Sequence, residues 1–230
     1  PGAGACGGQF TANTMSTALE FLGISPAGFN GIPATHPRKM HVAVESGRLV
    51  MELLRNGVRP RQIMTRSAFE NAIASVAATA GSTNGVLHLL AIAHEAGVPL
   101  LIDDFDRIAE RTPVLANLKP AGDYVATDVF DAGGVALVAR ELLKRGLVDP
   151  GVVNVDGSTQ ADVVAMIRET PGQQVIRPIE DPIKSTGGIA ILRGNLAPEG
   201  CVVKLAGQER KGYGGPARVF DSEEDCFAAV

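Results

Sequence analysis

The sequence predicts an α/β fold, a parallel sheet flanked by helices, followed by the start of a β-rich, barrel-like domain. Three observations predict it. Helix-type and strand-type apolar patterns alternate through most of the 230 residues. Short apolar runs such as Val98 to Ile102 and Val152 to Val155 read as buried strands. After Thr170-Pro171-Gly172 the pattern changes to short strands separated by Gly and Pro turns.

Taken in order, Ala12 to Leu22 carries apolar residues at helical spacing and stops at Gly23, a natural C-terminal cap. Pro26 to Pro37 reads as a loop, Val42 to Arg55 as a helix ending at Asn56-Gly57, and Ser67 to about Thr79 as another. Gly81-Ser82-Thr83-Asn84 breaks that run before a helix from Val86 to Glu95 closed by Gly97. The strand at Val98 to Ile102 turns through Asp103-Asp104 into a short helix. A helix is expected from Gly134 to Lys144, capped by Gly146, then a strand at Val152 to Val155 and a helix from Thr159 to about Glu169. Val175 to Arg177, Ile189 to Leu192, Val202 to Leu205 and Ala217 to Phe220 read as strands. Pro178, Asp181-Pro182 and Ser185-Thr186-Gly187-Gly188 suggest a linker, so residues 1–178 are assigned to the α/β domain and 179–230 to the start of the β-rich one.

Composition narrows the function. Lys plus Arg at 21 against Asp plus Glu at 25, with aromatic residues at 4% and no Trp, gives neither the basic footprint nor the stacking platforms of a nucleic-acid binder. The longest stretch free of Asp, Glu, Lys and Arg, Asn71 to His94, is broken by Gly81 to Asn84 and by two histidines, so no membrane span is expected. Three widely spaced cysteines, Cys6, Cys201 and Cys226, form neither a disulfide framework nor a four-thiolate zinc site, which favours a reducing, cytoplasmic compartment. The chain opens on Pro1 without a targeting segment and ends in a helical run, Phe227-Ala228-Ala229-Val230, so it is expected to be an internal section of a longer protein.

Gly2-Ala3-Gly4-Ala5-Cys6-Gly7 matches the dinucleotide pattern Gly-x-Gly-x-x-Gly by letter. That fingerprint needs a preceding strand and an acid at the end of the next one, whereas Glu20 lies inside a helix. Cys6 is more informative. It stands among glycines just before a helix, where backbone N–H groups and the helix dipole favour a thiolate able to act as nucleophile or metal ligand, although a lone Cys is more often a buried, inert residue. Ser82 and Thr83 precede a helix and suit capping, with an oxyanion site as the sharper reading. His88 and His94 are six residues apart and fall on different helix faces, and His36 and His41 lie in or beside a loop, so none forms a two-histidine metal pair. Asp103, Asp104 and Asp106 follow a predicted strand, where magnesium sites occur, but a turn and helix cap explain them equally.

Gly4-Ala5-Cys6-Gly7-Gly8-Gln9-Phe10-Thr11-Ala12-Asn13-Thr14-Met15 closely resembles the cluster-cysteine motif of the dihydroxy-acid and phosphogluconate dehydratases. The resemblance continues in order through Phe69-Glu70-Asn71-Ala72-Ile73, Gly81-Ser82-Thr83-Asn84 with Leu87-His88-Leu89, Gly187-Gly188-Ile189, Gly194 to Gly200, and Val203-Lys204. It implies that Cys6 is one of three cysteines holding an iron–sulfur cluster, of 2Fe–2S rather than 4Fe–4S type, with Mg2+ as a second cofactor. The family's other cluster cysteines, its magnesium ligands and its serine base match nothing in this sequence, and Cys201 and Cys226 match no family ligand. Gln9 departs from the Met usual in that motif. The match also points to Ser82, Thr83, Asn84 and His88 as candidate substrate-binding residues, with His88 the histidine to test first.

The implied reaction is dehydration of a 2,3-dihydroxy acid, such as 2,3-dihydroxyisovalerate, to a 2-oxo acid in valine and isoleucine biosynthesis. The partner implied is that small-molecule substrate, and the assembly a homodimer or larger homo-oligomer. The form Cys-x-Gly-x-Phe-Thr-Ala-Asn favours this branch over the sugar-acid dehydratases, which are the close alternative. A reading of another class is that the chain by itself is a non-catalytic folding or assembly module, because the base and most ligands lie elsewhere.

Overall fold

The computed structural model describes residues 7–205, 212 and 214–230. Cys6, on which the cluster assignment falls, lies outside them. The architecture is helix-rich. In chain order α1 (Thr11–Phe21), α2 (Arg38–Arg55), α3 (Pro60–Ile63), α4 (Arg66–Ala78), α5 (Asn84–Ala96), α6 (Ile102–Arg111), α7 (Ala126–Ala132), α8 (Ala136–Leu143) and α9 (Gln160–Ala165) precede β1 (Ile189–Gly194), β2 (Ala197–Lys204) and α10 (Glu223–Ala228).

The core is organised on α4. Residues Asn71 to Ala78 of this helix are all buried, together with Ala68 and Phe69. A helix whose second half is buried on every side belongs in the middle of a fold, and its many alanines let neighbouring helices approach closely. Packed on it are α1, α5, α6 and α8. From α1 come Thr14, Thr17, Ala18 and Phe21, spaced three and four apart so that they share one face. α5 turns Val86, Leu89 and Ala93 inward, and α6 buries Phe105, Ile108 and Ala109. Thr65 Oγ1 caps α4 by accepting from Ala68 N at 3.2 Å. Gly97 ends α5 in the left-handed conformation, φ 75°, as its position after the apolar run predicts.

Among the described residues the expected parallel sheet is not present, nor is a barrel. Among the described residues the one sheet is two-stranded and antiparallel, β1 against β2, with Ile189 opposite Lys204 and a register irregularity between Leu192 and Gly194. Val152 to Val155 and Val175 to Arg177 make only isolated bridges, Val153 with Thr159 and Ile176 with Ala116, and Ala217 to Phe220 forms no strand. Val98 to Ile102 is the run-in to α6. There Arg66 donates to the Pro99 carbonyl at 2.6 Å, and Asp104 accepts from Leu101 N at 2.9 Å and starts the helix. Apolar composition thus marked these runs as core-lining without giving them strand partners. α3 and α7 are additional short helices inside segments that carry no clear helical period.

β1 is fastened to the helical core by its entry. Gly187 N donates to Ala109 O at 2.8 Å, and Gly188 N to Ala77 O at 3.0 Å. A Cβ on Gly188 would lie 2.5 Å from Cα and Cβ of Ala80, so only glycine permits this approach. Asp106 of α6 accepts from Ile191 N at 3.0 Å. Glu141 of α8, 2% exposed, accepts from Ile179 N at 3.1 Å and holds the segment leading toward β1. Among the described residues no helix is long and apolar enough to cross a membrane.

Candidate active site

The segment following Cys6 is tied down from four directions. Gly7 O accepts from Ala126 N at 2.8 Å, and Gln9 N donates to Lys119 O at 2.6 Å. Gly8 O accepts from Asn13 Nδ2 at 2.6 Å. Gln9 is buried, and its Nε2 donates to Thr79 Oγ1 at 2.9 Å, while the Thr79 hydroxyl donates to Ser75 O at 2.8 Å. The residue that departs from the family's usual Met is therefore held by hydrogen bonds, which offset the cost of burying its amide.

From the end of β2, Lys204 Nζ donates to Gln9 O at 3.2 Å. Lys204 is half-buried and makes no ion pair among the described residues. Burial pushes its ammonium below the usual lysine pKa. In the sequence Lys204 belongs to the short apolar run Val202 to Leu205 and to the motif Val203-Lys204; its meeting with residue 9 depends on tertiary packing.

The turn at Ser82 to Asn84 meets the start of α1. Thr11 Oγ1 and Ser82 Oγ lie 3.2 Å apart, Asn84 Nδ2 donates to Thr11 Oγ1 at 2.8 Å, and Ser82 N donates to Thr14 Oγ1 at 2.9 Å. The capping expectation holds in part. Ser82 Oγ accepts from Asn84 N at 3.2 Å, but Thr83, the residue before α5, has a helical backbone and no side-chain capping bond. His88 follows one turn later on α5, half-buried. The structure thus brings Ser82 and Asn84 against Thr11 and Thr14 at the start of α1, and separately brings Lys204 to Gln9, so that hydroxyl, amide and ammonium groups all contact the Cys6-proximal stretch of chain.

Other candidates are accounted for by packing. His94 is exposed, and His36 meets the Phe130 ring edge-on at 5.1 Å between centroids. Burial alone would raise the Asp104 carboxyl, but Arg66, the Leu101 N–H and Arg107 together hold it at about 2, as befits a helix-capping ion-pair residue. Asp103 pairs with Arg193. No three His, Cys, Asp or Glu residues come together as a metal site among the described residues, and Cys201 and Cys226 are exposed free thiols. The described residues do not by themselves supply a ligand set for a cluster or for magnesium.

Comparison with known proteins agrees with the resemblance in the motifs. Residues 1–163 match the dihydroxy-acid/6-phosphogluconate dehydratase N-terminal family model, and residues 174–230 match the C-terminal model of the same family. Over 230 residues the chain is 61% identical to a dihydroxy-acid dehydratase of Koribacter versatilis and 57% identical to one of Roseiflexus castenholzii, covering all of this chain and 40% and 41% of theirs. It is 53% identical over 231 residues to a dihydroxy-acid dehydratase of Thermus thermophilus, covering all of this chain and 42% of that protein. The chain therefore spans about two-fifths of the length of the curated relatives it matches. The N-terminal match covers well over half of the sequence, so the chain belongs to the dihydroxy-acid/6-phosphogluconate dehydratase family.

Proposed function

We propose that the intact protein is a hydro-lyase that dehydrates 2,3-dihydroxy acids of the 2,3-dihydroxyisovalerate type to 2-oxo acids, in valine and isoleucine biosynthesis. The observation that carries this reading is the anchoring of the segment after Cys6 to both the Ser82–Asn84 turn and Lys204, within a chain whose named relatives are dihydroxy-acid dehydratases. In this reading Cys6 provides one ligand of an iron–sulfur cluster of 2Fe–2S type, and the remaining cluster ligands, the Mg2+ ligands and the base come from the rest of the protein. The cluster supplies a Lewis acid for the departing hydroxide. This chain's own share is binding. The ammonium of Lys204 attracts the substrate carboxylate, and the Thr11, Ser82 and Asn84 side chains orient its hydroxyl groups, with Thr83 and His88 beside them on the α5 side. A homodimer or larger homo-oligomer in the cytoplasm, acting on a free small molecule, completes the proposal.

The test is turnover by the intact protein of 2,3-dihydroxyisovalerate against sugar acids such as 6-phosphogluconate. Preference for the branched dihydroxy acid is expected. Preference for the sugar acid would transfer the assignment to the other branch of the family. The 230-residue chain alone is expected to turn over neither.

A further inference from the structure

The outward face of α2 is more apolar than the face it turns to the protein. Of its 18 residues Val42 alone is buried, and the half-buried ones include Lys39, Glu45 and Glu52. Met40, Val44 and Leu54 are 75%, 62% and 71% exposed, and Ala43, Val50 and Met51 are exposed beside them. An amphipathic helix turns its apolar stripe toward what covers it, so this face is built for a contact that the chain does not make with itself.

The stripe has a centre. Met40, Val44, Gly47, Met51 and Leu54 follow one another at alternating steps of four and three, the spacing of a coiled-coil seam. Gly47 stands midway, exposed, with nothing within 4 Å of where a Cβ would sit. Counted outward from it, apolar residues recur at equal distances in both directions: three away are Val44 and Val50, four away Ala43 and Met51, seven away Met40 and Leu54. Such a face reads alike from either end, and is therefore complementary to itself when a second copy is laid on it antiparallel. A two-fold axis at Gly47 sets Met40 level with Leu54 of the other copy, and Ala43 level with its Met51. Glycine at the axis lets the two backbones approach closely.

Charge and size agree with a second copy. No charged residue lies in the stripe, and Arg48, next to the axis, is neutralised within its own helix by Glu45 and Glu52. A helix pair about 27 Å long buries on the order of 1,000 Å² in total, near the lower limit of a specific interface. We propose that this face of α2 is a self-association surface, on which the α2 of a second copy packs antiparallel about Gly47. This goes beyond the homo-oligomer proposed above by assigning its face, its direction and the residue on its axis. None of the stripe residues is among those assigned to the substrate or the cluster.

The test is disulfide cross-linking of the intact protein carrying Gly47→Cys or Leu54→Cys, with linked peptides identified by mass spectrometry after mild oxidation. Gly47→Cys keeps the fold, since its side chain enters open space and glycine is the weaker helix former. Position 47 is expected to link to position 47 of a second copy. Position 54 is expected not to link to itself, because its two copies lie about 20 Å apart in an antiparallel pair. Val44→Glu, which sets charges on the seam, is expected to halve the mass measured by light scattering. Absence of the 47–47 link would overturn the proposal, as would self-linkage at both positions, which marks a parallel pair. An unchanged mass for Val44→Glu would mean that another face holds the copies together, and would overturn it as well. Linkage and mass do not move with substrate preference, so this proposal and the dehydratase reading can fail separately.

Discussion

Lys204 Nζ donates to the carbonyl of Gln9 across 195 positions of sequence, joining the last residue of β2 to the segment that follows Cys6. Two segments distant in sequence therefore meet at one place, where a half-buried ammonium forms no ion pair among the described residues. Lys204→Met in the intact protein is expected to raise KM for the dihydroxy acid about tenfold or more while shifting the melting temperature by only a few degrees. Steady-state kinetics beside a thermal melt separates the two. Lys204→Arg, which keeps the charge, is expected to recover part of the affinity.

Asn71 is a structural residue of the family-like motif. Its Nδ2 donates to Asp149 O at 2.9 Å and its Oδ1 accepts from Asp149 N at 2.7 Å, so one buried side chain satisfies both backbone groups of a distant loop residue. Asn71→Leu removes both bonds, each worth about 0.5–1.5 kcal/mol net, because Asp149 is exposed and water can replace the lost partner. Urea denaturation is expected to show a loss of roughly 1–3 kcal/mol with the slope unchanged. A loss below about 1 kcal/mol would mean that the loop finds other partners.

Gly188→Ala tests how β1 is seated. The added Cβ would fall 2.5 Å from Ala80 backbone and side-chain atoms. Overpacking of this kind costs about 1–3 kcal/mol, and because the contact also positions Lys204 through the Leu205 N to Gly188 O bond of 2.7 Å, activity is expected to fall together with stability. Gly194→Ala, with nothing within 4 Å of its Cβ, is the silent comparison.

Glu20 gives a pH signature. Burial pushes its carboxyl from the usual 4.5 up to about 7, against the lowering effect of the Gly28, Asn30 and Gly31 N–H groups and of Lys39. The folded state favours the protonated form, so the linked stability is complete below about 4.5 and is lost as pH rises through about 7. The wild type is expected to lose roughly 3 kcal/mol across that window, an upper figure for one group. Glu20→Gln is expected to flatten the curve.

The helices were legible because they carry their own signals. Apolar residues at spacing three and four placed α1, α4 and α5, and Gly97 marked where α5 stops. The sheet was not, because a strand is defined by its partner. Val98 to Ile102 and Val152 to Val155 have the composition of buried strands, yet the first leads into α6, with Asp104 receiving Leu101 N, and the second finds only a bridge to Thr159. At the site, Ser82 and Asn84 were legible as a polar turn before a helix. Their contact with Thr11, and that of Lys204 with Gln9, depend on tertiary packing over 71 to 195 positions and leave no local trace.

Cys6, just before the firmly anchored segment, is expected to be a cluster ligand. Iron content and visible absorption of the intact, anaerobically purified protein, compared with Cys6→Ser, test it most directly. The wild type is expected to carry iron with a charge-transfer band in the visible range, and the variant to lose most of both while keeping its fold by circular dichroism. Unchanged iron and spectrum in the folded variant would contradict the assignment.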